Sequence, residues 1–332
     1  MEEIAKMAGV SIGTVSRVVN KKDKVHPDTR QRIQALIDQV GYRPSASAQA
    51  LASRRTNNVM LVVPNIVDDY YPKVVNCMSR LCRAREKRLL LGVSDFDPEI
   101  EAQFLANAHE GVVDGLIVAS LQAEQNAGYF MDLARRNLPV VLMDLECPNF
   151  KVPTVKYDDK VGAEKAVAHL LNRGHRRVCF CSSTMEFKTV QDRFEGYREA
   201  LTDHGIAIDE SLCLNHTTGL ISWPWSSLEN LLDSDDPPTA LLAENDAMAQ
   251  ACIRFLRRRR LRVPEDIAVV GFGGSYLPHE VGQLLTSVAL PFEESCEAAL
   301  EMLLSLVALP PEDRGPPTVK IITPHLAEGE TT

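Results

Sequence analysis

The sequence predicts an α/β protein in two parts, a small three-helix head and a larger body of parallel sheets covered by helices and divided into two lobes. Three observations predict it. A chain of 332 residues exceeds what one hydrophobic core usually serves. Apolar residues follow helical spacing as far as Gly41, whereas from Val59 they form short runs separated by helical stretches. The charge is also divided. The first 57 residues hold ten Lys and Arg against five acids, so the head carries +5 and the remainder −14 of an overall −9. A basic head on an acidic body points to a polyanionic partner for the head alone.

Composition narrows the class. Apolar residues make up 45% and charged residues 24%, an ordinary globular balance. No apolar run approaches the ~18 residues of a membrane span. No signal-peptide core follows Met1-Glu2-Glu3, so a cytoplasmic protein without membrane partners is expected. Eight cysteines include no CxxC pair and no zinc-like spacing. Cys179 and Cys181 alternate in an apolar strand, share one face and sit too far apart to bridge comfortably; buried reduced thiols are expected. No metal or cofactor is implied.

In the head, Ile4, Ala5 and Ala8 mark one face of a short helix ending near Gly9. Ser11 fits the N-cap of a second helix, Ile12 to Asn20. Pro27 opens a third, whose apolar positions are Ile33, Leu36, Ile37 and Val40 and whose stop is Gly41. Residues 44–56 are compatible with a helix too short to persist alone in water, and so read as a conditional hinge.

The body's strands are expected at Val59–Val63, Leu89–Val93, Gly115–Ala119, Val140–Met143, Val178–Cys181, Ala240–Ala243 and Ile267–Val270. Helices are expected at Val74–Arg88, Ile100–Glu110, Tyr129–Asn137, Val161–Arg173, Asp192–Asp203, Ser226–Ser234 and Met248–Arg259. Such alternation implies parallel sheets with a cleft at the strand C-termini, where a ligand belongs.

The first two helices read as a helix-turn-helix. Small Ala5 permits a close crossing, Gly9 the turn, and Val15 packs inward, so Ile12, Gly13, Ser16, Arg17 and Asn20 face outward toward a major groove. The run Glu3 to Ser11, then Thr14 to Asn20, Val25 to Arg30, Gly41 to Pro44 and Leu51 to Ser53 strongly resembles the LacI/GalR family of bacterial transcription regulators. The resemblance makes Ile12, Gly13 and Arg17 the base-reading positions. Arg17 suits a bidentate contact to guanine, Ile12 a thymine methyl, while Thr14 and Ser16 suit phosphates. It also places Leu51 in a hinge helix that wedges into the minor groove, where an apolar side chain can open a base step. One departure is Gln49, where many relatives carry arginine.

The resemblance continues through Val63-Pro64-Asn65, Val113 to Ile117, Arg173 to Val178, Arg193 to Tyr197, Val263 to Ile267 and Leu285 to Val288. It implies a body like type I periplasmic sugar-binding proteins, two Rossmann-like lobes joined by three crossovers. On that basis residues 1–44 form the helix-turn-helix domain, 45–57 the hinge, and 58–330 the effector and dimerisation domain. Lobe 1 takes about 58–158 and 291–321, lobe 2 about 159–290 and 322–330. Pocket positions implied by the family are Asp69, Tyr70, Tyr71, Asp95 and Asp144 in lobe 1. In lobe 2 they are Phe187, Thr189, Arg193, Asn245 and Asp246, with Trp223 or Trp225 as an aromatic wall. Carboxylates, an amide and a guanidinium with flat rings favour a sugar or sugar derivative, a purine-like effector being the alternative. Where relatives commonly place aspartate after the Gly-Phe pair, this chain reads Gly271-Phe272-Gly273-Gly274. The tetrad Arg257 to Arg260 reads as a solvated helix end complementing the dipole, with Arg260 as a strained cap where glycine is usual.

Two rival classes fit the sequence less well. An enzyme would need a nucleophile elbow, an HExxH helix or a Walker loop, and Gly271–Gly274 is no dinucleotide fingerprint. A transport binding protein would need an export signal and no basic head. The expected function is therefore a homodimeric, allosteric repressor that binds a palindromic double-stranded operator under the control of a small polar effector. Circular dichroism should show helix gained when the full chain binds operator, and a Leu51→Ala chain should gain less; no gain on binding would remove the hinge.

Overall fold

The computed structural model describes residues 1–19, 25–42, 55–67, 70–108, 111–119, 125–144, 147, 150–182, 184–215, 225–274 and 282–332. The expected positions Asn20, Leu51, Asp69 and Trp223 lie outside the described residues. The chain divides into two compact units, Met1–Asn57 and Asn58–Thr332.

The first unit has three described helices, Glu2–Ala8, Ile12–Val19 and Pro27–Val40. Ile4, Ala5, Ala8, Val15, Val18, Ile33 and Ile37 form their common core. Gly9 ends the first helix at φ 63 and Gly41 the third at φ 65, left-handed positions that glycine adopts without steric strain. Val40 is a correction to the helical spacing: it lies on the exposed side of its helix, one turn beyond the last core residue.

The second unit contains two six-stranded sheets. The first is ordered β11 (Val319–Ile322), β5 (Thr154–Tyr157), β4 (Val140–Met143), β3 (Gly115–Ala119), β1 (Asn58–Val63), β2 (Arg88–Val93). The second is ordered β12 (His325–Ala327), β10 (Thr286–Ala289), β9 (Ala268–Gly273), β8 (Ala240–Ala243), β6 (Val178–Ser182), β7 (Cys213–Asn215). All pairings are parallel except β10 with β12. The chain passes between the sheets three times, after β5, after β10 and between β11 and β12.

Burial on both faces explains why these strands read as continuous apolar runs. Val59, Leu61 and Val63 face one core, while Val62 faces another with Leu116, Val118 and Leu142. In the second sheet Val178 and Phe180 face the first of these cores, and Cys179 and Cys181 face a third. The sulfurs of Cys179 and Cys181 stand 3.7 Å apart, closer than strand geometry suggests, because both side chains lean together; none of the eight cysteines forms a disulfide.

Several boundaries differ from expectation. The helix expected at Val74–Arg88 spans Tyr70–Ala84, because Pro72 is tolerated in its first turn and Arg88 is already in β2. The other six expected helices also begin before their expected starts, at Pro98, Ala127, Asp159, Lys188, Trp225 and Asp246. Side-chain caps account for two of these: Asp158 accepts from Val161 N–H at 3.2 Å, and Asn245 from Met248 N–H at 2.7 Å. Strands β5, β7, β10, β11 and β12 and helix Phe292–Ala308 go beyond the elements expected from the sequence pattern. Arg260 does adopt the left-handed conformation, φ 64.

Helices Asp159–Asn172 and Lys188–Asp203 cross at Gly196, where a Cβ would stand 2.2 Å from the Lys160 carbonyl oxygen. That obstacle is backbone and cannot rotate away. Gly196→Ala is therefore expected to lower stability by about 1–3 kcal/mol, seen as a lower urea midpoint with an unchanged slope.

Candidate functional site

In the head, helix Ile12–Val19 buries Val15 and Val18 and leaves Ile12, Gly13 and Arg17 exposed on the opposite face, with Thr14 and Ser16 half-buried beside them. Ser11 caps this helix, its hydroxyl accepting from Thr14 N–H at 3.2 Å and lying 3.0 Å from the Thr14 hydroxyl. Ile12, Gly13 and Arg17, flanked by Thr14 and Ser16, thus form one surface, with Arg17 exposed to solvent.

In the body, polar side chains from both lobes meet at the C-terminal ends of the strands. Arg193, on helix Lys188–Asp203, binds Asp159 through Nε and Nη2, each at 2.7 Å, and donates through Nη1 to the Glu244 carbonyl at 2.6 Å. Its guanidinium lies 3.9 Å from the centre of the Phe272 ring. Arg193 is thereby fixed on three sides.

Asp144, which follows β4, has no such cation of its own. Tyr70 donates its phenol proton to Asp144 Oδ1 at 2.9 Å, and the Tyr157 hydroxyl lies 3.1 Å from Tyr70. Asp144 Oδ2 is buried with no hydrogen-bond partner among the described residues, and its backbone is left-handed, φ 71. Burial pushes the Asp144 carboxyl up to about 7; the Tyr70 hydrogen bond opposes this, the Asp159 charge adds to it and Arg193 draws it back. Burial also raises Asp159, but its two bonds to Arg193 favour the ionised form.

Asp246 accepts from the Ser287 hydroxyl at 2.6 Å and lies over the glycines of β9. A Cβ at Gly273 would stand 3.0 Å from Asp246 Oδ2. An aspartate there would press one carboxylate on another, so the glycine and Asp246 are matched. Lys73, from lobe 1, donates across to the Gly274 carbonyl at 3.3 Å.

The expected pocket residues divide accordingly. Tyr70, Asp144 and Arg193 belong to this cluster, with Asp246 at its lobe 2 edge. Asn245 spends its oxygen on capping a helix. Tyr71 is buried in the core with Val74 and Met78. Asp95 is exposed, Thr189 is half-buried in the first turn of its helix, and Phe187 precedes that turn. Trp225 stacks on Phe255, ring centres 4.9 Å apart, beside the outer core of lobe 2. Sequence reasoning missed Tyr157, Asp159, Phe272 and Ser287. The first two flank the end of β5, and reading Thr154–Tyr157 as a strand would have exposed them.

Among the described residues no group of His, Cys, Asp and Glu could hold a metal, and no helix is long and apolar enough to cross a membrane.

A basic helical head with an exposed reading face, joined to a two-lobed body with a polar cleft, defines a ligand-responsive, DNA-binding transcription regulator rather than an enzyme. Residues 1–45 match the family described as bacterial regulatory proteins, lacI family, and residues 167–332 match the periplasmic binding protein-like domain. The regulator DegA of Bacillus subtilis is 31% identical over 293 residues, covering 88% of this chain and 86% of that protein. CelR of Thermobifida fusca is 32% identical over 306 residues, covering 88% and 87%. The chain belongs to the lacI family of bacterial regulatory proteins. Among solved structures, a complex of the transcriptional regulator CelR with cellobiose is 28% identical with a TM-score of 0.73, covering 99% of this chain and 98% of that one. The lac repressor dimer bound to operator and the anti-inducer ONPF is 22% identical with a TM-score of 0.82, covering 99% and 97%; it shares the fold.

The raised Asp144 carboxyl makes a signed prediction. The folded chain keeps a proton that the unfolded chain, with an ordinary carboxyl near 4, gives up. Stability from this group is therefore complete below about pH 4 and declines as pH rises toward 7. Asp144→Asn cannot ionise, so its stability relative to wild type should climb between pH 5 and 7 by roughly 1 kcal/mol per pH unit, read as a widening difference in thermal midpoint. A constant difference across that range would contradict it.

Proposed function

We propose that this chain is a homodimeric, cytoplasmic repressor that binds a palindromic operator and whose affinity is set by a sugar-like effector held between its lobes. The observation that carries this reading is the junction of Asp144, Tyr70, Arg193 and Asp159. It is a buried polar cluster drawn from both lobes, with one carboxylate oxygen still unmatched. A polyol supplies hydroxyl donors for such an oxygen, and binding both lobes at once makes the effector sensitive to the angle between them.

At the DNA, Arg17 and Ile12 read bases, and Gly13 leaves room for close approach. Thr14 and Ser16 hold the phosphates, Asn20 faces the major groove, and Leu51 wedges the centre of the site. In the cleft, Asp69, Tyr70, Asp144, Arg193 and Asp246 share out hydroxyls. Phe187 and Trp223 cover apolar faces, and Tyr71, Asp95, Thr189 and Asn245 shape or support the wall. The CelR complex with cellobiose supports a carbohydrate effector. Effector binding shifts the lobes, and the hinges order only at one lobe angle, so occupancy of one site alters affinity at the other.

The test is DNA binding by the full chain. Arg17→Ala should cost about 1–3 kcal/mol on the preferred inverted repeat and much less on scrambled duplex, with both affinities falling as salt rises. Equal loss on the two duplexes would remove the base-reading role. A thermal-shift screen of sugars and purines then decides the effector class.

A further inference from the structure

Helices Tyr70–Ala84 and Phe292–Ala308 pack against each other in lobe 1. At the rim of their contact Arg80 donates to Glu293 at 2.9 Å, the two side chains 65% and 66% exposed. A second rim pair, Arg85 with Glu301 at 3.5 Å, holds the helices together farther along. One turn from the first pair, each helix carries a cysteine: Cys77 three residues before Arg80, and Cys296 three residues after Glu293. Cys77 is 4% exposed and Cys296 is fully buried. Their thiols share a hydrogen bond, and the Arg80 guanidinium reaches back to the Cys77 sulfur at 3.8 Å. The Val74 carbonyl also lies 3.8 Å from the Cys296 sulfur, so the Cys296 proton has two acceptors.

These contacts make the two thiols unlike. Donation from Cys296, helped by Arg80, outweighs burial and the Glu293 charge and brings the Cys77 thiol down to about 6. The same bond, together with burial, pushes Cys296 far up. At neutral pH Cys77 is therefore a thiolate, and Cys296 is a thiol placed against it. Elsewhere the direction is opposite: burial pushes Cys82 and Cys213 up to about 11, and the Cys179 contact raises Cys181. A low-pKa sulfur beside a solvent-facing arginine, with a second thiol in contact, is the arrangement of an attacking and a resolving cysteine.

We propose that Cys77 and Cys296 form an oxidation site for hydrogen peroxide, which closes them into an intrachain disulfide tying these two helices together. The Cys77 thiolate attacks one peroxide oxygen. The S–O bond forms, the O–O bond breaks, and the hydroxide that leaves takes a proton from solvent to become water. The Cys296 sulfur then attacks the Cys77 sulfur. The S–S bond forms, the S–O bond breaks, and the departing oxygen carries off the Cys296 proton as a second water. Two sulfurs are oxidised by two electrons in all, and one peroxide is reduced to two waters. Arg80 acts as a positioning residue: it keeps the Cys77 sulfur ionised at the rim, where a molecule the size of water can reach it. A thiol reductant reverses the step.

The test uses the folded full chain, hydrogen peroxide and mass spectrometry. Oxidised wild type should lose two hydrogens and two of its eight thiols, with the Cys77 and Cys296 peptides joined, and dithiothreitol should restore both. Cys296→Ala should stop at a sulfenic acid on Cys77, captured by dimedone, and Cys77→Ala should form no disulfide. In the reduced chain at pH 7, iodoacetamide should label Cys77 at least about tenfold faster than Cys82. Arg80→Ala should slow that labelling about threefold or more and move its pH midpoint upward, which loss of a surface ion pair alone would not do. A disulfide between other cysteines, labelling of Cys77 no faster than Cys82, or an unchanged pH midpoint in Arg80→Ala would each overturn the site. Where a cysteine variant does not fold, Arg80→Ala, altered only at the exposed rim, decides.

Discussion

The body is organised around one commitment, the double hydrogen bond between the Arg193 guanidinium and the Asp159 carboxylate. Both groups are nearly excluded from solvent, and a buried charge is tolerable only when paired and hydrogen-bonded. Because Arg193 is spent on Asp159, on the Glu244 carbonyl and on the face of Phe272, the second lobe presents a rigid wall. It also means that Asp144, contributed by the other lobe, meets no unspent cation among the described residues. Two buried acids share one guanidinium, and the imbalance leaves an oxygen that a ligand or a proton can satisfy. The proposed effector site is made by withholding a partner as much as by supplying one.

Much of this was legible in the sequence. All seven expected strands exist; in the central ones, residues buried on both sheet faces must be apolar throughout, and such runs stand out between polar turns. The reading face of the head was equally plain, since Val15 and Val18 fix which side of helix Ile12–Val19 is inward. What escaped were edge and connector elements. Val319–Ile322 exposes three of its four residues, and β7 and β12 are only three residues long, so neither periodicity nor length marks them. The site suffered from the same gap, because Tyr157 and Asp159 flank an unread strand end. Asn245 illustrates the other error. Its position matched a pocket residue, but a helix beginning at Asp246 needs its first N–H groups satisfied, and that local demand takes the asparagine's oxygen.

Left-handed backbone at bulky residues separates two kinds of strain. At Arg260 it closes a helix whose charged end is solvated, with Arg259 bound to Glu229 and Asp233, and nothing in the cleft depends on it. At Asp95, Phe96 and Asp144 it recurs at strand ends that border the cleft. Strain of this kind also occurs at Asn57, Glu86 and Asn137; at the cleft it aims side chains, whereas at Arg260 it only ends a helix.

The three passages of chain between the sheets have a mechanical corollary. A single connection would leave the two lobes free to swivel, and two would define a line about which they could still slip. Three side-by-side straps, one of them only the two residues Thr323 and Pro324 between β11 and β12, behave as a flexure: stiff in shear and torsion, soft in a single bending direction. Whatever occupies the crevice is thereby transmitted as one coordinate, so chemically different occupants differ in how far they drive the flexure rather than in which way.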